Sequence, residues 1–132
     1  MKAKPAISTL FLAAAVYDGI LGMAFLSVPA SIFEWFNVTP PNHRGYIEFP
    51  ALLLLSFAVM YVAIARNPVA NRNLIPYGML LKVSYCAVVF YHWVRGGIPN
   101  LWKPWAFADL VFLVLFYAAW RRLAAEAEST AS

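Results

Sequence analysis

Charge is what this chain has least of: Asp, Glu, Lys and Arg make up 12% of its 132 residues, against about a quarter in a soluble globular domain. With 63% of residues hydrophobic and a mean hydropathy of +0.68, it carries too little polar side chain to coat a surface facing water. Cysteine is almost missing as well. The single thiol, Cys86, excludes an intramolecular disulfide and any cage of cysteine metal ligands. No His-x-x-His or Glu-x-x-His pair, Gly-rich phosphate loop, Ser-His-Asp arrangement or haem-attachment motif is recognisable, so the familiar enzyme classes have no foothold and no metal site is expected. A basic patch interleaved with exposed aromatics is also lacking, which argues against nucleic acid as a partner.

What is present is four apolar blocks, at about 6–28, 47–65, 74–94 and 105–121. Each approaches the roughly 20 residues a helix needs to cross a hydrocarbon core, and together they occupy most of the chain. The expectation is an all-α fold, a four-transmembrane-helix bundle forming one membrane domain. Lys2 and Lys4 precede the first block as in a signal peptide, but its apolar run is too long for an h-region and is expected to stay as a helix. Pro29, "TPPNHRGY" (39–46), "RNPVANRN" (66–73) and "RGGIPNLWKP" (95–104) break the pattern between blocks, and Pro50, Pro76 and Pro104 fall in opening helical turns. The polar tail, 124–132, is expected to fray.

An even number of spans returns both termini to one side. Lys2, Lys4, Arg66, Arg72, Arg121 and Arg122 then share a face, against Arg44, Arg95 and Lys103 opposite, and this excess predicts cytoplasmic termini. The net charge of +4 is thus a topology signal. In "SIFEWFNV" (31–38), Ile32, Phe33, Trp35 and Phe36 are too apolar for a solvated loop and too few to span, which predicts a short interfacial helix between spans one and two. Trp35, Trp93, Trp102 and Trp105 would gather at the same outer boundary, with Trp120 at the inner one.

The informative residues are the ionisable ones at depth, since a charge near the bilayer centre costs about 2.5–3.5 kcal/mol on insertion scales and turns inward toward a partner. At a rise of ~1.5 Å per residue, Asp18 lies ~18 Å and Lys82 ~12 Å from the cytoplasmic ends of their spans, close enough in height to pair. Ala14, Ala15, Asp18 and Gly22 share a face whose small residues admit a neighbouring helix. On the third block Gly78, Tyr85 and His92 recur every seven residues, flanked by Lys82 and Cys86, and this stripe is expected to face the interior. Glu48, His92 and Asp109 fall at similar heights near the outer ends of three spans, where they could line one polar recess. The candidate ligand-binding set is therefore Asp18, Glu48, Lys82, Tyr85, His92 and Asp109. The plain alternative for Glu48 and Asp109 is helix-dipole stabilisation in a first turn.

Four short spans, an opening helix reading "YDGILGMAFLSVP", the Gly-x-x-Phe-Leu-x-x-Pro pattern of "GMAFLSVP" (22–29) and an interfacial segment resemble the DoxX-like small membrane proteins. The resemblance implies a four-helix bundle, a bacterial cytoplasmic membrane and a quinone-linked redox context, and it carries over no catalytic residue. Two functions follow from the sequence: a bundle that binds a lipophilic molecule such as a quinone or lipid, or a non-catalytic accessory subunit of a larger membrane complex, alone or as a homo-oligomer.

Overall fold

The computed structural model describes residues 3–131; Lys2, counted above in the charge asymmetry, and Ser132 of the tail lie outside the described residues. Five α-helices follow one another: α1 (Ala3–Ser27), α2 (Pro29–Trp35), α3 (Gly45–Arg66), α4 (Ile75–Arg95) and α5 (Lys103–Ala131). Single 3₁₀ turns at Arg72–Leu74 and Asn100–Trp102 lead into α4 and α5, and no strand occurs among the described residues. Helices α1, α3, α4 and α5 are long and apolar enough to cross a membrane. At ~1.5 Å per residue, even α4, with 21 residues, exceeds the ~30 Å of a hydrocarbon core. Large apolar side chains stand exposed on each of the four, among them Val59 at 71% and Ile20 at 64%. A surface this apolar suits acyl chains rather than water.

Two boundaries differ from the sequence reading. Residues 124–131 continue α5 as helix instead of fraying, because Ala124, Ala125, Glu126, Ala127 and Glu128 are strong helix formers extending an already nucleated helix. Helix α3 begins at Gly45, so Pro50 is its sixth residue and lies inside the helix rather than in the opening turn. There it removes the bond its amide would have given the Tyr46 carbonyl.

The long helices pack as two pairs, α1 along α3 and α4 along α5, which meet along a seam. Small residues set the first pair. A Cβ on Gly22 would stand 2.9 Å from the Ala51 carbonyl oxygen, so only glycine lets the two backbones come this close. Toward the end carrying the chain termini, the seam is solid: Phe11 stacks on Phe116 at 4.6 Å between ring centroids, and Tyr61 tilts against Phe116 at 5.3 Å. Gly78 makes room for Tyr61, whose Cε1 would lie 2.8 Å from a Cβ at that position.

Helix α2 covers the opposite end. Pro29 starts it, and it stops in a Schellman motif: the Asn37 and Val38 amides donate to the Glu34 and Phe33 carbonyls, with Asn37 in the left-handed region at φ 56°. Val38 folds back toward Phe33, and these two join Ile32, Phe25, Leu101 and Trp102 in a small apolar cluster.

Candidate functional site

Lys82 stands in the middle of the seam with no exposure at all. Its Nζ donates to Asp18 Oδ1 at 3.1 Å and Oδ2 at 3.3 Å, the cross-bundle pair that the depth estimate implied. A third bond, 3.0 Å long, reaches Asp109 Oδ1 on α5. The two Asp18 oxygens lie too close together to take separate protons, so they share one N–H and a second points to Asp109. The rings of Phe112, Tyr17 and Tyr61 surround the nitrogen at 5.3–5.7 Å from their centroids and add cation–π attraction. Three helices thus converge on one cation: α1 supplies Asp18, α4 Lys82 and α5 Asp109.

Beyond this cluster, toward α2, the seam opens into a cavity of about 430 Å³. Its size falls within the usual range for small-molecule pockets. Asp18 and Asp109 reach its wall, but Lys82 does not. Tyr85 also lines it and donates its hydroxyl to the Trp102 carbonyl at 2.8 Å. The remaining wall is mostly apolar and aromatic, with Leu21, Phe25 and Leu54 along the sides and Phe33, Val38 and Tyr46 toward the α2 end. Two further polar atoms belong to wall residues. The Tyr17 hydroxyl and Trp105 Nε1 are buried and have no hydrogen-bond partner among the described residues. Both atoms lie behind the cavity surface, and a buried donor left unpaired costs about 1–3 kcal/mol.

Of the six candidate residues, the structure brings Asp18, Lys82, Asp109 and Tyr85 together and leaves Glu48 and His92 apart. The expected outer recess of Glu48, His92 and Asp109 is not formed. Asp109 turns to Lys82; Glu48 is taken by Arg44 one turn earlier, Nε to Oε2 at 3.2 Å, with both side chains exposed; His92 is exposed beside Tyr91. No three His, Cys, Asp or Glu side chains gather as a metal cage among the described residues. His92 is displaced because a strict seven-residue repeat drifts by ~20° per heptad around a straight helix. The interior face of α4 instead runs through Gly78, Lys82, Cys86 and Val89, all buried, at spacings of four, four and three. Cys86 on that face donates its thiol to the Ala106 carbonyl at 3.3 Å.

Sequence reasoning missed Tyr17 and gave Trp102 and Trp105 to an interfacial belt, whereas all three line the cavity. Trp102 stacks on Phe25 at 5.9 Å, and Trp105 lies 6.3 Å from Tyr17, ring centroid to centroid. A signal for the last was available: Trp105 precedes Asp109 by four residues and so shares its helical face.

No protein-family model, curated protein sequence or solved structure matches this chain.

Proposed function

We propose that the protein is an integral membrane receptor for a lipophilic small molecule, held between the helix pairs with its polar end at the Asp18–Lys82–Asp109 cluster. The observation that carries this reading is the coincidence, in one cavity of about 430 Å³, of mostly apolar and aromatic walls with the Asp18 and Asp109 carboxyl groups. An apolar pocket with a few converging polar groups is the usual form of a small-molecule site. The charge asymmetry of the loops orients the termini to the cytoplasm and α2 to the outer headgroup level. The mouth beside Thr39, Pro41 and Tyr46 then faces the outer leaflet.

The likeness to DoxX-like proteins favours a quinone among such lipophiles. The residues fit it through the apolar and aromatic walls, which would hold its ring and tail, and they fit a lipid equally well. A quinone would supply electron carriage. This chain's own residues would bind and orient it and exclude water around it. A second reading, an accessory subunit of a larger complex, draws on the exposed rim at the α2 end, where Trp35 is 77% and Tyr46 69% exposed.

Native mass spectrometry of protein extracted in its own lipids tests the receptor reading. A stoichiometric lipophile is expected on the wild type and is expected to be lost from Leu54→Trp, which fills the cavity from α3. Wild-type protein free of any such molecule, or one retained in full by Leu54→Trp, overturns it.

A further inference from the structure

The cluster at the cavity floor holds two carboxylates and one ammonium, a formal charge of −1. Side-chain exposure is 1% for Asp18, 1% for Lys82 and 10% for Asp109, so neither headgroups nor bulk water offset the imbalance. No other cation is bonded to either carboxylate among the described residues. An uncompensated charge in a low-dielectric interior is costly and is relieved by a counter-charge or by a proton.

The geometry also says where that counter-charge enters. Asp18 and Asp109 border the cavity whereas Lys82 is absent from its wall, so a guest meets carboxylate rather than ammonium. Asp109 Oδ2 accepts no hydrogen bond among the described residues, although its Oδ1 is engaged. Tyr17, Tyr85 and Trp105 share the cavity wall with Asp109. A carboxylate there attracts a positive nitrogen and repels a fatty-acid or phosphate anion.

We infer that the cavity selects lipophilic ammonium ions, protonated or quaternary amines whose nitrogen sits against Asp109 and whose hydrocarbon body lies toward Phe25, Phe33 and Leu54. This rests on the reading of the cavity as a binding site and narrows its ligand to one charge class.

The test uses full-length protein in nanodiscs and three radiolabelled probes of one skeleton: a diphenylalkyl tertiary amine, the matching alcohol and the matching carboxylic acid. The amine is expected to bind at least about tenfold more tightly than the alcohol, a difference of ~1.4 kcal/mol, and the acid more weakly than both. Asp109→Asn keeps side-chain size and the bond to Lys82 while removing the extra charge, and is expected to abolish the preference for the amine. Asp18→Asn changes the charge count equally and serves if the first variant does not fold. Equal binding of amine and alcohol, or a preference unchanged in the variants, overturns the ammonium assignment while leaving the receptor intact. The same holds if the alcohol alone binds, the result expected when a proton shared by the carboxylates already neutralises the cluster. Failure of all three probes, in protein that also carries no lipophile of its own, overturns both.

Discussion

The seam between the two helix pairs is built differently on either side of Lys82. Toward the termini, Phe11, Tyr61 and Phe116 fill it with stacked rings, and glycine at position 78 lets Tyr61 fit. Toward α2 the same four helices diverge around a cavity although aromatic residues are no scarcer there; Phe25, Tyr85, Trp102 and Trp105 all border it. Ring number therefore does not separate the two halves. Rings meet across the seam in both halves, but in the hollow half they border the cavity: Trp105 lies against Tyr17, Trp102 joins Phe25 and Phe33 beneath α2, and Tyr85 is tied to the Trp102 carbonyl. Helix α2 thus engages Phe25 and Trp102 at the hollow end of the seam.

The largest effect should come from the boundary itself. Lys82→Met leaves Asp18 and Asp109 buried side by side without a cation, and breaking a buried pair in this way costs about 3–5 kcal/mol. Replacing all three groups together, as Lys82→Met with Asp18→Leu and Asp109→Leu, should recover most of that loss, because the desolvation penalty disappears with the attraction. Thermal unfolding in mild detergent measures both. A single variant as stable as the wild type would mean that the cluster does not join the two pairs.

Next in size is the solid half against the hollow one. Phe116→Ala removes a fully buried ring that touches Phe11, Tyr61 and Phe112, and should cost ~3–5 kcal/mol. Leu54→Ala removes a cavity-wall side chain that lacks neighbours on one side, and should cost less than ~2 kcal/mol. Equal losses would show the hollow half to be as tightly packed as the solid one. Gly78→Ala falls between them, at ~1–3 kcal/mol, since the new methyl meets Tyr61 Cε1 inside contact distance and the ring has little room to retreat.

How far the sequence led depended on which physical rule was in play. Four helices were legible because hydropathy and length act residue by residue, and Pro29, Pro76 and Pro104 punctuate them where helices begin. The Asp18–Lys82 pair was legible because a buried charge requires a partner and depth can be counted along a helix. Asp109 was matched to the wrong companions. Counting height placed it with Glu48 and His92, but height says nothing about which way a helix is turned, and the face of α5 that bears Ala106, Asp109 and Phe116 is the buried one. A pocket holding Asp18, Tyr85 and Asp109 was expected, but its extent toward α2 was beyond reach for a similar reason. It depends on how α2 folds over the seam after its Schellman stop, and the cue for that, an asparagine at position 37 able to adopt positive φ, reads in sequence as an ordinary loop residue.

Glu48 and His92 provide the smallest effect and the sharpest contrast with the seam. Both lie near the α2 end, as the cavity does, yet neither borders it. Glu48 holds Arg44 in an exposed i,i+4 pair, and such pairs are worth about 0.3–0.5 kcal/mol. Arg44 also donates to the Leu26 carbonyl at 3.2 Å, a bond that does not need Glu48. Glu48→Gln should therefore lower stability by no more than ~0.5 kcal/mol, and His92→Ala, on an exposed face of α4, by no more than that. In both variants the lipophile seen by native mass spectrometry should remain at wild-type occupancy. Its loss from either would place the polar end of the guest at the outer rim, away from Lys82, and would remove the reason for treating the two halves of the seam as different in kind.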